Sequence, residues 1–151
     1  GELPAAIRAD SQATFVLLIG TNNLGSGILP GPTLDGVVQL VESILKTTKG
    51  RLVVLKLLPR GDDFRLAPLC PPRCDDDGKP YKSFMPAIRN VNDGLQQRLG
   101  SIKEERLQLV DCGKDFEGTA AEEVDGVLMP DKLHPNADGH RKFAACIKKY
   151  L

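Results

Sequence analysis

Three short apolar runs and three amphipathic stripes alternate along the chain. The runs occupy residues 14–19, 52–58 and 107–110, and the first two are followed by Gly20 and Pro59. Short apolar runs bounded in this way are typical of strands that are buried on both faces of a parallel sheet. We therefore predict three strands at these positions.

Between and after the runs, apolar residues recur at the three- and four-residue spacing of an α-helix. The first stripe follows Thr33 or Asp35 as candidate caps and precedes Gly50, and the last stripe begins at Pro135. Residues 120–124 predict a short helical turn. The inward positions are Val37, Val38, Leu40, Val41, Ile44 and Leu45 in the first helix, Phe84, Ile88, Val91, Leu95 and Leu99 in the second, and Phe143, Cys146, Ile147 and Tyr150 in the third.

This alternation of strands and helices predicts an α/β fold with a parallel sheet and right-handed crossovers. A chain of 151 residues without repeats or linkers fits one domain. The loop at 59–80 is long for such a domain, and loops of that length are usually functional or mobile. In parallel sheets the functional site lies beyond the carboxyl ends of the strands. Residues 20–23 and 131–135 both fall on that rim, so we expect them to meet.

Composition and charge narrow the class of partner. Lys and Arg total 20, as do Asp and Glu, so no net charge draws the chain to nucleic acid or to an anionic membrane. No apolar stretch approaches the roughly 20 residues of a membrane-spanning helix. The chain starts at Gly1 without a signal-peptide pattern, which leaves processing, an engineered start or a longer parent protein open. The compartment cannot be read from the sequence, and the cytoplasm is favoured.

The four cysteines fall into two groups. Cys112 ends the third strand and Cys146 lies on the apolar face of the last helix, and we predict both to be buried thiols that act as small hydrophobic residues. Cys70 and Cys74 flank Pro-Pro-Arg in the long loop, where a local disulfide remains open. A zinc site would need two further ligands, and none has the required spacing. The three consecutive aspartates at 75–77 also lack the spacing of a calcium loop.

Two segments that are far apart in sequence contain the candidate catalytic residues. Asn22 follows the first strand, and Asp131 precedes His134 by three residues just before the last helix. An amide donor, an imidazole and a carboxylate are three of the four polar groups that acyl transfer requires, and the fourth is a nucleophile such as serine. The second histidine, His140, lies within the last helix, where we expect it to be exposed and without a role.

These segments resemble motifs of the SGNH or GDSL hydrolases. Gly-Thr-Asn-Asn at 20–23 is similar to that family's Gly-x-Asn-Asp block, and Asp-Lys-Leu-His-Pro at 131–135 is similar to its Asp-x-x-His block. Within the family, Gly-Glu-Leu at 1–3, Leu-Leu-Pro-Arg-Gly at 57–61 and Leu-His-Pro followed by Gly139 most resemble the catalytic subunits of the platelet-activating factor acetylhydrolase IB group. The resemblance covers the whole chain, with an extra stretch around residues 62 to 80.

The resemblance implies a three-layer α/β/α, flavodoxin-like fold with strand order 2-1-3-4-5. The three predicted strands match the third, fourth and fifth of that sheet, so residues 1–151 would be the C-terminal two-thirds of a single SGNH-hydrolase domain that lacks its first strand or strands here. The strand at 14–19 would then have a bare apolar edge. We expect an upstream segment, a cleaved chain or another partner protein to cover it.

The family's serine lies in a Gly-Asp-Ser motif that this chain does not contain. None of the serines present follows a strand end in the way that would fix it against His134, and Ser26 is the nearest approach to such a setting. The serines are Ser11, Ser26, Ser43, Ser83 and Ser101.

The resemblance also implies roles for single residues. His134 would be the general base, Asp131 would orient its imidazole, and the Asn22 amide would donate to the oxyanion. Asn23, where many relatives have Asp, and Arg60 are weaker candidates for substrate binding. Their alternatives are turn hydrogen bonds for Asn23 and shaping of the pocket rim for Arg60.

Two functions follow from these residues. The first is a serine esterase of the acetylhydrolase type that acts on a short-acyl or lipid-like ester without metal or cofactor, with its serine outside this chain. The alternative is a catalytically inactive domain that serves as a structural subunit of a larger complex. In either case we expect the isolated chain to be inactive. The family resemblance also suggests a homodimer.

Overall fold

A computed structural model of the protein describes residues 3–120 and 122–151. Gly1 and Glu2 of the Gly-Glu-Leu motif lie outside the described residues, as does Ala121 of the predicted turn at 120–124. The strands are β1 (Thr14–Leu17), β2 (Arg51–Leu55) and β3 (Leu107–Val110), and the α-helices are α1 (Ala5–Ala9), α2 (Thr21–Gly25), α3 (Pro30–Thr47), α4 (Met85–Gly100) and α5 (Ala137–Ile147).

The strands form one parallel sheet in the order β1-β2-β3. Val16 of β1 pairs with Val53 of β2 in the register of the ladder. The first two strands end earlier than the apolar runs predicted. For β2 the reason is a side chain of α4, since Asn92 Oδ1 accepts from the Leu57 N–H at 2.8 Å and its Nδ2 donates to the Leu57 carbonyl at 3.0 Å. These bonds replace the ladder there and fix the rim of the sheet.

Helices cover both faces of the sheet, as the predicted α/β class requires. Helices α3 and α4 pack together on one face, where Val38, Val54 and Val91 belong to the main core. Helix α5 covers the other face, where Val53 and Val110 pack against the inner side of α5. The sheet is therefore the middle layer of three.

The prediction for Cys112 and Cys146 as separate buried thiols is wrong. The two cysteines form a disulfide, with Cα atoms 5.9 Å apart and a sequence separation of 34. The residue after β3 and the inner face of α5 meet at this distance because α5 lies directly over the sheet. The disulfide left open between Cys70 and Cys74 is also present. It lies in the long loop, together with two short 3-10 turns at Asp63–Arg65 and Ala67–Leu69.

Two helix starts differ from the prediction. Helix α3 begins at Pro30 rather than near Thr33, because a proline at the first helical position has a suitable φ angle and no N–H group to leave unpaired. Thr33 lies inside the helix and is buried, so it does not cap it. Helix α5 begins after Pro135, and its cap is Asn136, whose side chain accepts the Gly139 N–H at 3.0 Å.

Three smaller features complete the description. The predicted helical turn near 120–124 is a hydrogen-bonded turn, in which the Glu123 N–H donates to the Ala120 carbonyl, and Val124 pairs with Glu117 in an isolated bridge. Within residues 3–120 and 122–151, no helix is both long and apolar enough to cross a membrane. The same residues contain no cluster of three or more metal-ligating side chains.

Candidate active site

A cleft of about 420 Å³ opens at the carboxyl ends of β1 and β2. Three segments line it, at 18–23, 57–59 and 133–135. The fold therefore brings Asn22, Asn23 and His134 to one cavity, although more than a hundred residues separate the asparagines from the histidine. This is the rim on which the sequence pattern places both motifs.

The histidine and the carboxylate of the second motif are in direct contact. His134 Nδ1 lies 2.7 Å from Asp131 Oδ2. The other oxygen of Asp131 accepts the backbone N–H groups of Leu133 at 3.0 Å and of His134 at 2.7 Å. These hydrogen bonds, that of the His134 backbone N–H first, lower the pKa of Asp131 to about 2. The carboxylate is thus ionised at neutral pH and can only accept, so the imidazole carries its proton on Nδ1 and presents Nε2 as an acceptor.

A tight turn holds this pair in place. Lys132, between the two residues, has a φ angle of 58°, in the left-handed region that non-glycine residues rarely adopt. The Lys132 N–H donates to the Met129 carbonyl at 2.8 Å, and its carbonyl accepts the Gly61 N–H at 2.9 Å. The turn is therefore bonded to the segment that follows β2. Both side chains of the pair are nevertheless open to solvent, with 74% of His134 and 56% of Asp131 exposed.

The first motif is a sharp turn into a short helix. Gly20 has a φ angle of 115°, which a residue with a side chain would adopt only under strain, and α2 starts directly after it. Asn22 and Asn23 lie in the first turn of α2, and both are exposed. Their backbone carbonyls accept the Ser26 N–H, while their side-chain amides make no hydrogen bond within the described chain. Both amides are thus free to contact a ligand in the cleft.

Arg60 supports this turn from behind and is 1% exposed. Its guanidinium donates to the two carboxylate oxygens of Asp62 at 2.6 and 2.8 Å and to the Thr21 carbonyl at 2.8 Å. It also lies 4.3 Å from the centre of the Phe84 ring. Arg60 does not line the cleft, and all of these contacts are with the protein, so a direct substrate contact by this residue stays a prediction.

The position of Arg60 also explains why residue 25 is a glycine. A Cβ atom on Gly25 would lie 2.4 Å from Arg60 Nη1, so α2 can pack on the guanidinium only because residue 25 has no side chain. Sequence reasoning missed Asp62 and the Thr21 carbonyl as partners of Arg60. The acid two residues after the arginine was the available signal for the first of them.

Among the residues that the structure describes, the cleft lining includes the hydroxyl-bearing Thr21 but no serine or cysteine. Ser26, the nearest serine to this rim in sequence, caps the end of α2 and does not line the cleft. His140 is exposed on α5, as predicted.

Comparisons with known proteins show the family and the fold of the chain. A sequence profile of the GDSL-like lipase/acylhydrolase family matches residues 1–142. No curated protein sequence matches the chain. A structure from Streptococcus pneumoniae, described as a candidate platelet activating factor, is similar with a TM-score of 0.65 and 19% sequence identity over 91% of this chain and 58% of that one. A candidate acylhydrolase from Bacteroides fragilis is similar with a TM-score of 0.69 and 15% identity over 91% of this chain and 60% of that one.

At these identities the likeness shows the fold, and it confirms the predicted α/β SGNH-hydrolase-like architecture. The chain spans about three-fifths of the length of either structure.

Proposed function

The chain belongs to the GDSL-like lipase/acylhydrolase family, and from that premise we propose that it supplies the base and oxyanion side of a serine esterase whose nucleophile lies outside residues 1–151. One observation carries the proposal. His134 is held by Asp131 at 2.7 Å, with its second nitrogen free, on the same cleft as the unbonded amide of Asn22. Base, orienting carboxylate and oxyanion donor are the groups that such an enzyme needs around its serine.

In the proposed reaction, Nε2 of His134 takes the proton of the serine hydroxyl as the oxygen attacks the ester carbonyl. The carbonyl oxygen becomes an oxyanion, which accepts a hydrogen bond from the Asn22 amide. The carbon–oxygen bond to the alcohol then breaks, and the imidazolium gives its proton to the departing alcohol. Water repeats the sequence on the acyl-enzyme and releases the acid. The serine proton leaves with the alcohol, a proton of the water returns to the serine, and no cofactor is consumed.

Asp131 acts through the histidine. As an ionised carboxylate it keeps the Nδ1 proton in place and stabilises the imidazolium that forms in each half of the reaction. Its low pKa, about 2, supports this role because the group stays charged throughout the pH range in which a histidine can act as a base.

The cleft lining suggests the substrate class. Leu18 and Ile19, which directly follow β1, are exposed apolar residues of the cleft lining, and Leu58 and Pro59 also line the cleft. A cavity of about 420 Å³ with this lining fits the acyl part of a short-chain or lipid-like ester. Asn23 is a second amide on the same wall and remains a weaker candidate for substrate binding.

The unpaired edge of β1 supports the proposal that a further strand completes the sheet. Within the described chain, no strand pairs with β1 on the side away from β2. Val16 is 43% exposed, whereas its register partner Val53 is fully buried. Such an edge favours pairing with another strand. We propose that upstream residues, or a separate chain, supply that strand together with the serine.

A second candidate function rests on the absence of a serine from the cleft lining that the structure describes. A domain that never gains a nucleophile would act as a structural subunit of a larger complex. The preserved contact between Asp131 and His134 argues for the esterase, because packing alone does not require an exposed, oriented imidazole.

The test is hydrolysis of a short-chain aryl ester such as p-nitrophenyl acetate by the native protein that contains this chain. We expect activity that falls at least about 10³-fold in His134→Ala. The matched control is His140→Ala, which removes the other, exposed histidine and should leave the rate unchanged. Activity of residues 1–151 alone would contradict an external serine, and an inactive native protein would support the structural subunit.

A further inference from the structure

A second cavity, of about 190 Å³, shares no lining residue with the cleft. It is formed by the first turns of α3 and α4 and by the long loop after β2. Pro30, Leu66, Arg73, Ser83 and Phe84 are among the residues that line it, and no acidic side chain does.

Arg73 is the unusual member of this lining, since it is only 4% exposed. Its Nη2 donates to the Ile28 carbonyl, but its Nε is buried without a hydrogen-bond partner. None of the ion pairs within residues 3–120 and 122–151 involves Arg73. Arg60, which lies on the same Phe84 ring, has its charge matched by Asp62. Burial and the nearby Arg60 lower the pKa of Arg73, as expected for a positive charge that lacks a counter-ion.

The start of α4 adds to the positive character of the cavity. This helix is 16 residues long, its N-cap residue Phe84 makes no side-chain capping bond, and its first turn has no acidic residue. Pro86 and Ala87, its second and third residues, line the cavity, and the Ala87 N–H has no acceptor within the helix. The positive end of the helix dipole therefore meets the cavity next to Arg73. Ser83 accepts the Met85 N–H at 3.3 Å, which leaves its own hydroxyl hydrogen free to donate.

The position of Arg73 is fixed by the loop around it. The Arg73 N–H donates to the Leu69 carbonyl at 2.8 Å, and the Cys70–Cys74 disulfide closes the loop on either side. A guanidinium held in this way cannot swing into solvent without rearrangement of the loop. An unmatched charge in such a place is costly, and a bound anion with hydrogen-bond acceptors removes the cost.

We propose that this cavity is a binding site for one small oxyanion, a phosphate or carboxylate group, held by the Arg73 guanidinium, the Ser83 hydroxyl and the start of α4. The volume is below that of sites for drug-sized ligands, so it fits a small ion or the charged end of a larger molecule. The site does not depend on the esterase proposal, because it uses none of the residues of the cleft.

The test is isothermal titration of the native protein with inorganic phosphate and, separately, with acetate, at constant ionic strength set by sodium chloride. We expect saturable binding of at least one of the two ions, and the tighter ion identifies the group that the site accepts. Arg73→Gln should weaken that binding about tenfold or more, because it removes a charge-assisted hydrogen bond. Arg98→Gln, which changes an exposed arginine at the other end of α4, is the matched control and should bind as the unaltered protein does.

Thermal unfolding provides the second readout. Without added oxyanion, Arg73→Gln should unfold at the same or a higher temperature than the unaltered protein, since an unmatched charge is gone. Should that variant fail to fold, Arg73→Lys and Ser83→Ala test the same contacts, and each should weaken binding severalfold. The proposal is overturned if neither ion binds, or if the Arg73 and Ser83 variants bind as tightly as the Arg98 control.

Discussion

The two sides of the sheet, at β3 and at β1, differ in how well the described chain covers them. On the β3 side, helix α5 packs over one face of the sheet and the Cys112–Cys146 disulfide ties the helix to the strand end, although β3 also has no strand partner on its outer side within the described residues. At β1 the outer edge is unpaired within the described chain, and Val16 is exposed where its neighbour Val53 is buried. The part of the candidate site that contains His134 and the part that contains Asn22 therefore differ in the contacts that hold them in place.

The part of the candidate site that contains the general base is held in place by contacts within the described chain. The turn around His134 is held by its own hydrogen bonds, by Gly61 and by the cap of α5. The half that carries the oxyanion donor depends on a buried arginine behind it, while its front lies on the unpaired margin. A strand added beside β1 would complete this second half, and that is where the proposal places the serine.

The largest effect among the remaining tests is expected at the oxyanion donor. Asn22→Ala should lower kcat of the native protein about 10²- to 10³-fold with little change in KM, because the amide contacts the transition state more strongly than the substrate. Steady-state kinetics with an aryl ester measure this. Asn23→Ala is the control on the same wall, and an equal loss in both variants would argue against a specific role for Asn22.

The disulfide of the covered margin is the next test. Replacement of Cys112 and Cys146 by serine should lower the free energy of unfolding by about 3 kcal/mol, since the bond closes a loop of 34 residues. Urea denaturation of the native protein measures this. The paired serine variant of Cys70 and Cys74 should lose less, because its loop spans only four residues. A loss of equal size in both would contradict the account of the covered margin.

A matched pair of valines tests the open margin. Val53→Ala should cost about 2 kcal/mol in unfolding free energy, as expected for a fully buried valine. If a strand covers β1 in the native protein, Val16→Ala should cost a similar amount. A cost below about 0.5 kcal/mol at Val16 would mean that this edge stays open to solvent and that the proposed strand is absent.

The smallest expected effect concerns the titration of Asp131. Its pKa of about 2 lies below the value of an unfolded chain, so its contribution to stability is present above about pH 4 and is lost as the pH falls towards 2. The backbone N–H of residue 134 is the main cause, so His134→Ala should leave the pKa of Asp131 well below its ordinary value. Carbon NMR of the carboxyl group measures both. A return to the ordinary pKa in the variant would instead make the imidazole the main cause.

Local patterns predicted most of the architecture. Strand β3 has the bounds that the apolar run gave. The family resemblance implied that Asp131 orients the imidazole of His134, and the two side chains are in contact. The start of α3 was missed because Pro-Gly-Pro at 30–32 has the composition of a loop, whereas prolines suit a first helical turn.

Long-range contacts were harder to predict. A half-cystine on the inner face of α5 follows the same apolar pattern as a free thiol, so the sequence did not distinguish the two for Cys146. The bond between Arg60 and the Thr21 carbonyl joins residues 39 positions apart, and no periodicity marks it. The unpaired Nε of Arg73 depends on the packing of two helices and a loop, which local sequence does not specify. The functional roles of Asn22, Asp131 and His134 stay predictions until activity is measured.

The most direct test of the esterase proposal is labelling of the native protein with a fluorophosphonate, followed by mass spectrometry of the modified peptide. The account predicts one labelled serine that lies outside residues 1–151, with labelling lost in His134→Ala and kept in His140→Ala. A label on a serine within residues 1–151, or no labelling of a folded native protein, would contradict it.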